Sequence, residues 1–283
     1  MTRTSTIVRR TLTELRWHIF WYGCGTALYA VFMILLFPSF KETLTQTQYP
    51  EEFLQFFGVG SDLSNAAVFL SAEYISFIPL VLMVFALVAG TGALAGEEGR
   101  GTLEIVLAQP VPRARLYWAK VLALMLAIAA ILAIIIAGWV AILLVVDLEG
   151  EVTVADAVLA HVGMFPVIAW FAAAGVFAGA IAPSRGQGAG ILAALLIASY
   201  LATSLAQVVD RIAWMRWFSP YTYLDGPTLL MTGPVAGHVA LLLAGAAVFA
   251  VLGLLGFAGR EIGAGTWQPG ALARGFRALR PGR

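Results

Sequence analysis

Six stretches of this sequence contain no Asp, Glu, Lys or Arg over at least 23 residues each. They are residues 17–40, 74–96, 121–146, 157–184, 186–209 and 226–259. A helix needs about 20 apolar residues to cross the roughly 30 Å hydrocarbon core of a bilayer, because each residue advances it by about 1.5 Å. Every other uncharged stretch is 12 residues or shorter. The sequence therefore predicts an all-α integral membrane protein with six transmembrane helices.

Composition agrees with lipid as the solvent for most of the chain. Of its 283 residues, 60% are hydrophobic and 12% are charged, whereas a soluble domain carries about 25% charged residues. We expect one transmembrane domain over residues 1–283. Its spans are predicted at residues 17–37, 74–95, 119–146, 158–182, 187–208 and 236–258.

Glycine and proline mark two further features of the spans. The last uncharged stretch is too long for one helix, and Gly233 and Pro234 divide it. We therefore predict a short re-entrant or interfacial segment before the sixth span. Gly175 and Gly179 in the fourth span have the GxxxG spacing that lets another helix approach closely.

Positive charge is unevenly divided between the two sides of the predicted bundle. One side holds 14 of the 17 Lys and Arg residues, and the other holds only Lys41, Arg211 and Arg216. Because segments rich in Lys and Arg stay in the cytoplasm, both termini are predicted to be cytoplasmic. Arg outnumbers Lys by 15 to 2, which is typical of GC-rich bacterial genomes. We expect a multi-pass protein of the bacterial inner membrane.

Basic amphipathic segments flank the spans. Within residues 1–16, Val8, Leu12 and Leu15 share one helical side, which predicts an N-terminal interfacial helix on the inner membrane surface. The tail, residues 260–283, separates apolar from Arg side chains in the same way. It predicts a second helix for the inner lipid surface or for a cytoplasmic partner. Membrane lipid is therefore an expected partner.

A charged segment joins the second and third spans. It contains apolar residues at helical spacing: Leu103, Val106 and Leu107. They predict a two-turn amphipathic helix over about residues 102–109. Pro110 and Pro112 end that helix, because proline lacks the N–H group and its ring clashes with the preceding turn. A short helix held between two spans has a shape that suits a docking contact.

Several motifs are missing from the sequence. It contains no G-x-x-x-x-G-K-[ST] loop for nucleotide, no H-E-x-x-H and no G-x-S-x-G. Asp, Glu, Lys and Arg are also absent from the middle of every predicted span, where ion-coupled transporters and proton pumps normally keep ionisable groups. We therefore expect no catalytic residue, metal site, cofactor or nucleic-acid partner. Energy for any transport would come from another protein through the cytoplasmic surface.

The segment from Glu97 to Arg113 reads E-x-G-R-G-T-L-E-x-x-L-A-Q-P-V-x-R. It resembles the permease subunits of ABC-2-type transporters. The resemblance implies that the segment forms a coupling helix in a groove of a separate ATPase, which binds ATP and Mg²⁺. It also implies two ATPase copies and a second permease, identical or different. The coupling residues would be Glu97, Glu98, Arg100, Gly101, Thr102, Leu103, Glu104, Val106 and Leu107.

Polar and aromatic residues near the outer side are further candidates. The fifth span carries Ser199, Tyr200, Thr203 and Ser204. These hydroxyls either bond between helices or line a substrate path. The segment before the sixth span carries the aromatic side chains of a predicted outer gate: Trp214, Trp217, Phe218, Tyr221 and Tyr223.

The expected function is that of a permease subunit that exports an apolar or amphipathic substrate, such as a drug, an antibiotic or a lipid-like molecule. A separate ATPase docking on residues 97–116 would supply the energy. Two alternatives stay open. One is a related permease acting in metal-centre maturation or cell-surface motility, and the other is a stand-alone channel or secondary transporter.

Overall fold

A computed structural model describes residues 4–46, 63–108, 111–148, 150–182, 184–261 and 270–278. Within these residues the secondary structure is helical, with no strand, and six helices are long and apolar enough to cross a membrane. The predicted all-α architecture with six spans is confirmed.

The long helices alternate with short ones along the chain. In order they are α1 (Thr4–Gln46), α2 (Ala66–Gly99), α3 (Thr102–Leu107), α4 (Arg113–Leu143), α5 (Val154–Ile181), α6 (Arg185–Val208), α7 (Gly226–Thr232), α8 (Ala236–Gly259) and α9 (Ala271–Ala278). Two 3₁₀ segments, Asp210–Phe218 and Pro220–Leu224, connect α6 to α7. The division predicted at Gly233 is confirmed, because α7 ends there and Gly233 has a φ of +70°.

Helix α5 lies at the centre of the bundle, between α2 and α8. In its most apolar 18-residue window 78% of the residues are buried, against 22% for α1 and 28% for α6 and α8. Gly175 and Gly179 of α5 pack directly on α2. A Cβ atom on Gly179 would lie 2.7 Å from the backbone oxygen of Thr91. The close helix approach predicted from the GxxxG spacing is confirmed, and α2 is the helix that approaches.

The N-terminal helix differs from the prediction. Residues 4–16 are not a separate interfacial helix, because α1 runs without a break from Thr4 to Gln46. The physical reason is that residues 4–22 contain no Gly or Pro that could end a helix. The first turns of α1 also pack inward, with Ile7 and Thr11 buried.

The second span also begins earlier than predicted, at Ala66 rather than at residue 74. The charged Glu73 does not end the helix, because its side chain is exposed. The start is capped twice: Asn65 Oδ1 accepts from Val68 N at 3.1 Å, and Glu151 Oε2 accepts from Ala66 N at 2.5 Å. Such contacts satisfy N–H groups that have no partner in the first helical turn.

The interior of α2 contains two π-helical turns that the sequence pattern did not predict. They are Ser71–Ile75 and Gly92–Gly96, set among the α-helical segments Ala66–Leu70, Ile78–Thr91 and Glu97–Gly99. Single π turns occur inside α-helices often at functional sites. The second one directly precedes the charged segment that joins α2 to α4.

The two ends of the bundle differ in charge. One end, here called the basic end, contains the start of α1 and the junctions between α2 and α4 and between α5 and α6. It holds eleven of the described cations: Arg9, Arg10, Arg16, Arg100, Arg113, Arg115, Lys120, Arg185, Arg260, Arg274 and Arg277. The opposite end holds Lys41, Arg211 and Arg216 among the residues that the structure describes.

Candidate functional site

The short helix α3 directly follows a tight turn at the basic end. Gly101 has a φ of +69°, a conformation that costs a residue with a side chain about 1–2 kcal/mol. Its N–H donates to the backbone oxygen of Glu98 at 2.9 Å, and Thr102 Oγ1 donates to the backbone oxygen of Glu97 at 3.1 Å. A helix of six residues is not stable alone. Contacts with the rest of the protein therefore have to hold α3 in place.

Two ion pairs fix the segment that carries α3. The Glu97 carboxylate accepts from Lys120 Nζ of α4, and both side chains are almost completely buried. Glu98 Oε2 lies 3.0 Å from Arg260 Nη2, which follows α8. Charge-assisted bonds of this kind are about twice as strong as bonds between neutral groups. They connect the end of α2 to α4 and α8.

Arginine side chains also join the helix ends to one another. Arg260 Nη1 donates to the oxygens of Gly179 and Ala180 in the last turn of α5, at 3.2 and 3.3 Å. Arg113 Nη1 donates to the backbone oxygen of Arg260 at 2.8 Å, just beyond α8. Carbonyl groups at helix C-termini lack intrahelical partners and carry partial negative charge, so cations stabilise them. The basic ends of α2, α4, α5 and α8 are thus connected.

The 3₁₀ region at the opposite end is held on α6 by neutral hydrogen bonds. Thr203 of α6 lies 2.8 Å from the hydroxyls of both Ser219 and Thr222, which belong to the 3₁₀ region. Ser219 Oγ in turn donates to the backbone oxygen of Ser199 at 2.8 Å. Because each hydroxyl has one proton, a consistent chain runs from Thr222 through Thr203 and Ser219 to the Ser199 carbonyl. This chain fixes the 3₁₀ region on α6.

Tyr221 connects the same region to α2. Its hydroxyl donates to the Ser76 oxygen at 2.5 Å, and its ring contacts Tyr200 edge to face at 5.5 Å. Burial raises the pKa of the Tyr221 phenol above its usual value, and Tyr200 adds a smaller effect in the same direction. Tyr221 therefore remains a neutral hydrogen-bond donor at physiological pH.

Comparison with protein families gives one match. Residues 14–262, nearly the whole chain, match the model of the ABC-2 family transporter protein. The chain belongs to the ABC-2 transporter family. A search of curated proteins finds none that is significantly similar. ABC-2 permeases are transmembrane transport components that generally work with an ABC ATPase, so this chain is a multi-pass membrane protein with a transport role.

The predicted coupling residues of this ABC-2 protein fall into two groups. Leu103 and Glu97 are buried, and Val106 and Thr102 are half-buried, so these side chains hold the segment from within. Glu98 is largely covered by its ion pair. Arg100 and Gly101 are exposed. The side chains of Glu104 and Leu107 lie outside the described residues.

Sequence reasoning placed Arg113 within the docking segment 97–116 but did not predict the contacts that Lys120, Arg113 and Arg260 make. Their charges were visible at the ends of apolar stretches, but nothing local indicates which groups they contact. Arg113 and the backbone oxygen of Arg260 are 147 positions apart in the chain. Only the packing of α4 beside α8 brings them together. A signal that could have suggested a role is the position of Lys120 directly before the long uncharged part of α4.

The predicted substrate path and outer gate meet at one cavity of the opposite end. Tyr200, Thr203 and Ser204 line it together with Tyr221. Ser199 lines a second cavity, together with Trp214 and Phe218 from the predicted gate. The other gate candidates lie outside both cavities: Trp217 is exposed, and Tyr223 donates to the backbone oxygen of Trp217 at 2.8 Å. The structure therefore assembles part of each predicted set.

Proposed function

We propose that this ABC-2 protein is the permease subunit of an ATP-driven exporter, and that a separate ATPase docks on residues 97–116. The observation that carries the proposal is the attachment of α3. The ion pairs of Glu97 and Glu98 join its segment to α4 and α8, and Arg260 extends the connection to α5. A push on α3 would therefore move several membrane helices as one body, which is a known mode of switching.

The distribution of charge supports an external source of energy. No Asp, Glu, Lys or Arg lies at the middle of a predicted span, so the chain lacks the charged groups that ion-coupled transporters use there. Lys120 and Glu97 are buried, but they lie at the basic end and neutralise each other. This distribution favours the ATP-driven exporter over a secondary transporter.

The orientation follows from the same charges. Segments rich in Lys and Arg stay in the cytoplasm, so the basic end would face the cytoplasm, where ATP is available. We place the chain in the bacterial inner membrane, with both termini inside the cell. The working assembly would contain two ATPase subunits and a second permease, which is identical or different. The uncharged interior of the spans suits an apolar or amphipathic cargo.

The test uses a pair of glycines in the turn before α3. Gly99 and Gly101 both have open space where a Cβ atom would lie, but only Gly101 has a positive φ. We expect Gly101→Val to tilt α3 and to lower permease-stimulated ATP hydrolysis at least tenfold in proteoliposomes with the copurifying ATPase. Gly99→Ala is the matched control and should leave stimulation unchanged. Equal stimulation by the wild type and Gly101→Val would contradict the coupling role.

A cross-link tests the docking position directly. Ala108 is exposed just after α3, and Cys24 is the only cysteine in the chain. In a Cys24→Ser background, Ala108→Cys should form a thiol cross-link to the ATPase, whereas Thr232→Cys at the opposite end should form none. ATP-independent flux through the purified chain alone would support the channel alternative instead.

A further inference from the structure

A cavity of about 240 Å³ lies at the basic end, between α1, α2 and α4 and beside the segment that carries α3. One part of its wall is apolar, formed by Leu15, Phe85, Val88 and Leu124. The other part carries charge. Two of the proposed coupling residues, Glu97 and Arg100, line it. An amphiphile could place its alkyl chain against the apolar part of the wall and its headgroup against the charged part.

The charges that line the cavity leave two cations without a counter-charge. Lys120 is neutralised by Glu97. Glu14 is neutralised by Arg10, whose Nε lies 3.0 Å from Glu14 Oε1. The remaining lining cations are Arg100 and Arg185, and neither forms an ion pair with any residue in the described part of the chain. The two carboxylates and three cations of the wall sum to a net charge of +1, and its two cations without an ion pair are both guanidinium groups.

The two arginines come from different junctions but reach the same turn of α2. A Cβ on Gly92 would lie 3.2 Å from Arg185 Nε, and a Cβ on Gly96 would lie 3.9 Å from Arg100 Nη1. Arg185 extends from the start of α6, while Arg100 precedes α3. Both side chains thus lie over the π-helical turn Gly92–Gly96, where the small residues make room for them. Arg185 Nη2 donates one hydrogen bond to the backbone oxygen of Val88 at 3.4 Å, and the other N–H groups of this guanidinium are available to an anion.

We propose that this cavity binds the anionic headgroup of an amphiphilic cargo, with a phosphate or carboxylate between Arg100 and Arg185. Both arginines are exposed, and guanidinium groups bind such anions through paired N–H donors. The apolar wall contacts the first part of the alkyl chain. The volume is below the usual range for a whole ligand, so most of the chain stays in the lipid. This inference deepens the proposed function. Movement of the cargo rests on that function, whereas binding at this cavity does not.

Binding is tested with the full-length chain in detergent micelles and two fluorescent lipids that have the same acyl chains. One is phosphatidylglycerol, which is anionic, and the other is phosphatidylcholine, which is zwitterionic. We expect the wild type to bind phosphatidylglycerol at least tenfold more tightly. Arg100→Gln with Arg185→Gln should abolish that preference. Arg115→Gln with Arg277→Gln removes two exposed arginines at the same end and should retain it.

A second variant fills the cavity without changing its charge. Ala93 lines the cavity and is half-exposed, so Ala93→Leu should weaken phosphatidylglycerol binding while the unfolding midpoint stays within a few degrees. Equal binding of both lipids by the wild type would overturn the proposal. So would an equal loss in the control pair, because that result would show general attraction to positive charge.

Transport separates a cargo from a resident lipid. With the ATPase and ATP in proteoliposomes, the wild type should move labelled phosphatidylglycerol between leaflets, whereas Arg185→Gln, which lies outside the coupling segment, should move much less of it at normal ATPase stimulation. Selective binding without ATP-dependent movement would overturn the assignment as cargo. If Gly101→Val keeps normal ATPase stimulation while phosphatidylglycerol binding persists, the coupling proposal fails and the binding site stands.

Discussion

Two regions of the helix bundle, the basic end and the 3₁₀ region of the opposite end, are held in place by different chemistry. At the basic end, buried ion pairs and arginine side chains connect α2, α4, α5 and α8. At the opposite end, a chain of neutral hydroxyl groups and one tyrosine fix the 3₁₀ region on α6 and α2. Breaking a buried ion pair costs several kcal/mol, whereas a neutral bond between membrane helices contributes about 0.6 kcal/mol on average.

The proposed function predicts such a difference, because it assigns energy input to the basic end. Helix ends joined by charge-assisted bonds move together, because separating them would leave buried charges unpaired. Neutral hydroxyls can exchange a partner for water at little cost. Backbone strain lies at the opposite end as well: Asp225 has a φ of +54° and is the only residue other than Gly with a positive φ in the described part of the chain. The comparison makes four predictions on stability.

The largest effect is expected for Lys120→Met, which leaves the Glu97 carboxylate buried without its partner. We expect the free energy of unfolding to fall by about 3–5 kcal/mol, measured by denaturant unfolding in detergent. The double variant Glu97→Leu, Lys120→Met should recover most of this loss, because no unpaired charge remains. A loss below about 1 kcal/mol in the single variant would show that the basic end is not held by this pair.

A smaller effect is expected where α5 crosses α2. Gly179→Leu places a side chain 2.7 Å from the Thr91 oxygen and should cost about 1–3 kcal/mol by overpacking. The same unfolding measurement tests it. Gly190→Leu on α6 is the control, because nothing lies within 4 Å of its Cβ position and that glycine is exposed. If Gly179→Leu and Gly190→Leu lower the free energy of unfolding equally, the loss does not come from the close approach of α5 to α2.

At the opposite end, Thr203→Val keeps the shape of the side chain and removes its hydroxyl. Thr222 loses its acceptor and Ser219 loses its donor, so we expect a loss of about 1 kcal/mol. Thr232→Val is the matched control, because Thr232 is exposed and bonds only to the Thr228 oxygen of its own helix. A loss as large as that of Lys120→Met would remove the contrast between the two ends.

The smallest effect is expected for Tyr221→Phe, which removes one hydroxyl and retains the ring contact with Tyr200. The Ser76 oxygen loses a donor, and the free energy of unfolding should fall by about 0.6 kcal/mol. The unfolding free energies of Tyr221→Phe and Thr203→Val, measured in the same assay, show which contact stabilises the 3₁₀ region more. If Tyr221→Phe is the more costly, the connection to α2 stabilises this region more than the hydroxyl chain does.

Much of the fold could be predicted because its signals are local. Lipid excludes charge, so uncharged stretches located the six spans, and the Gly233–Pro234 break separated α7 from α8. The same rule failed at Glu73, where an exposed carboxylate sits within α2. It failed again after Arg16, because a change from polar to apolar residues does not by itself end a helix.

The candidate site could be predicted only in outline. The motif from Glu97 to Arg113 indicated which segment would matter, and α3 forms where its spacing predicted a helix. The sequence by itself determined the six spans and this segment, since polarity and helix breakers act on neighbouring residues. Only the tertiary structure decided that Glu97 faces Lys120 and that Arg260 reaches both Glu98 and α5. Those partners lie 23 to 162 positions apart, and helix packing alone sets the distances between them.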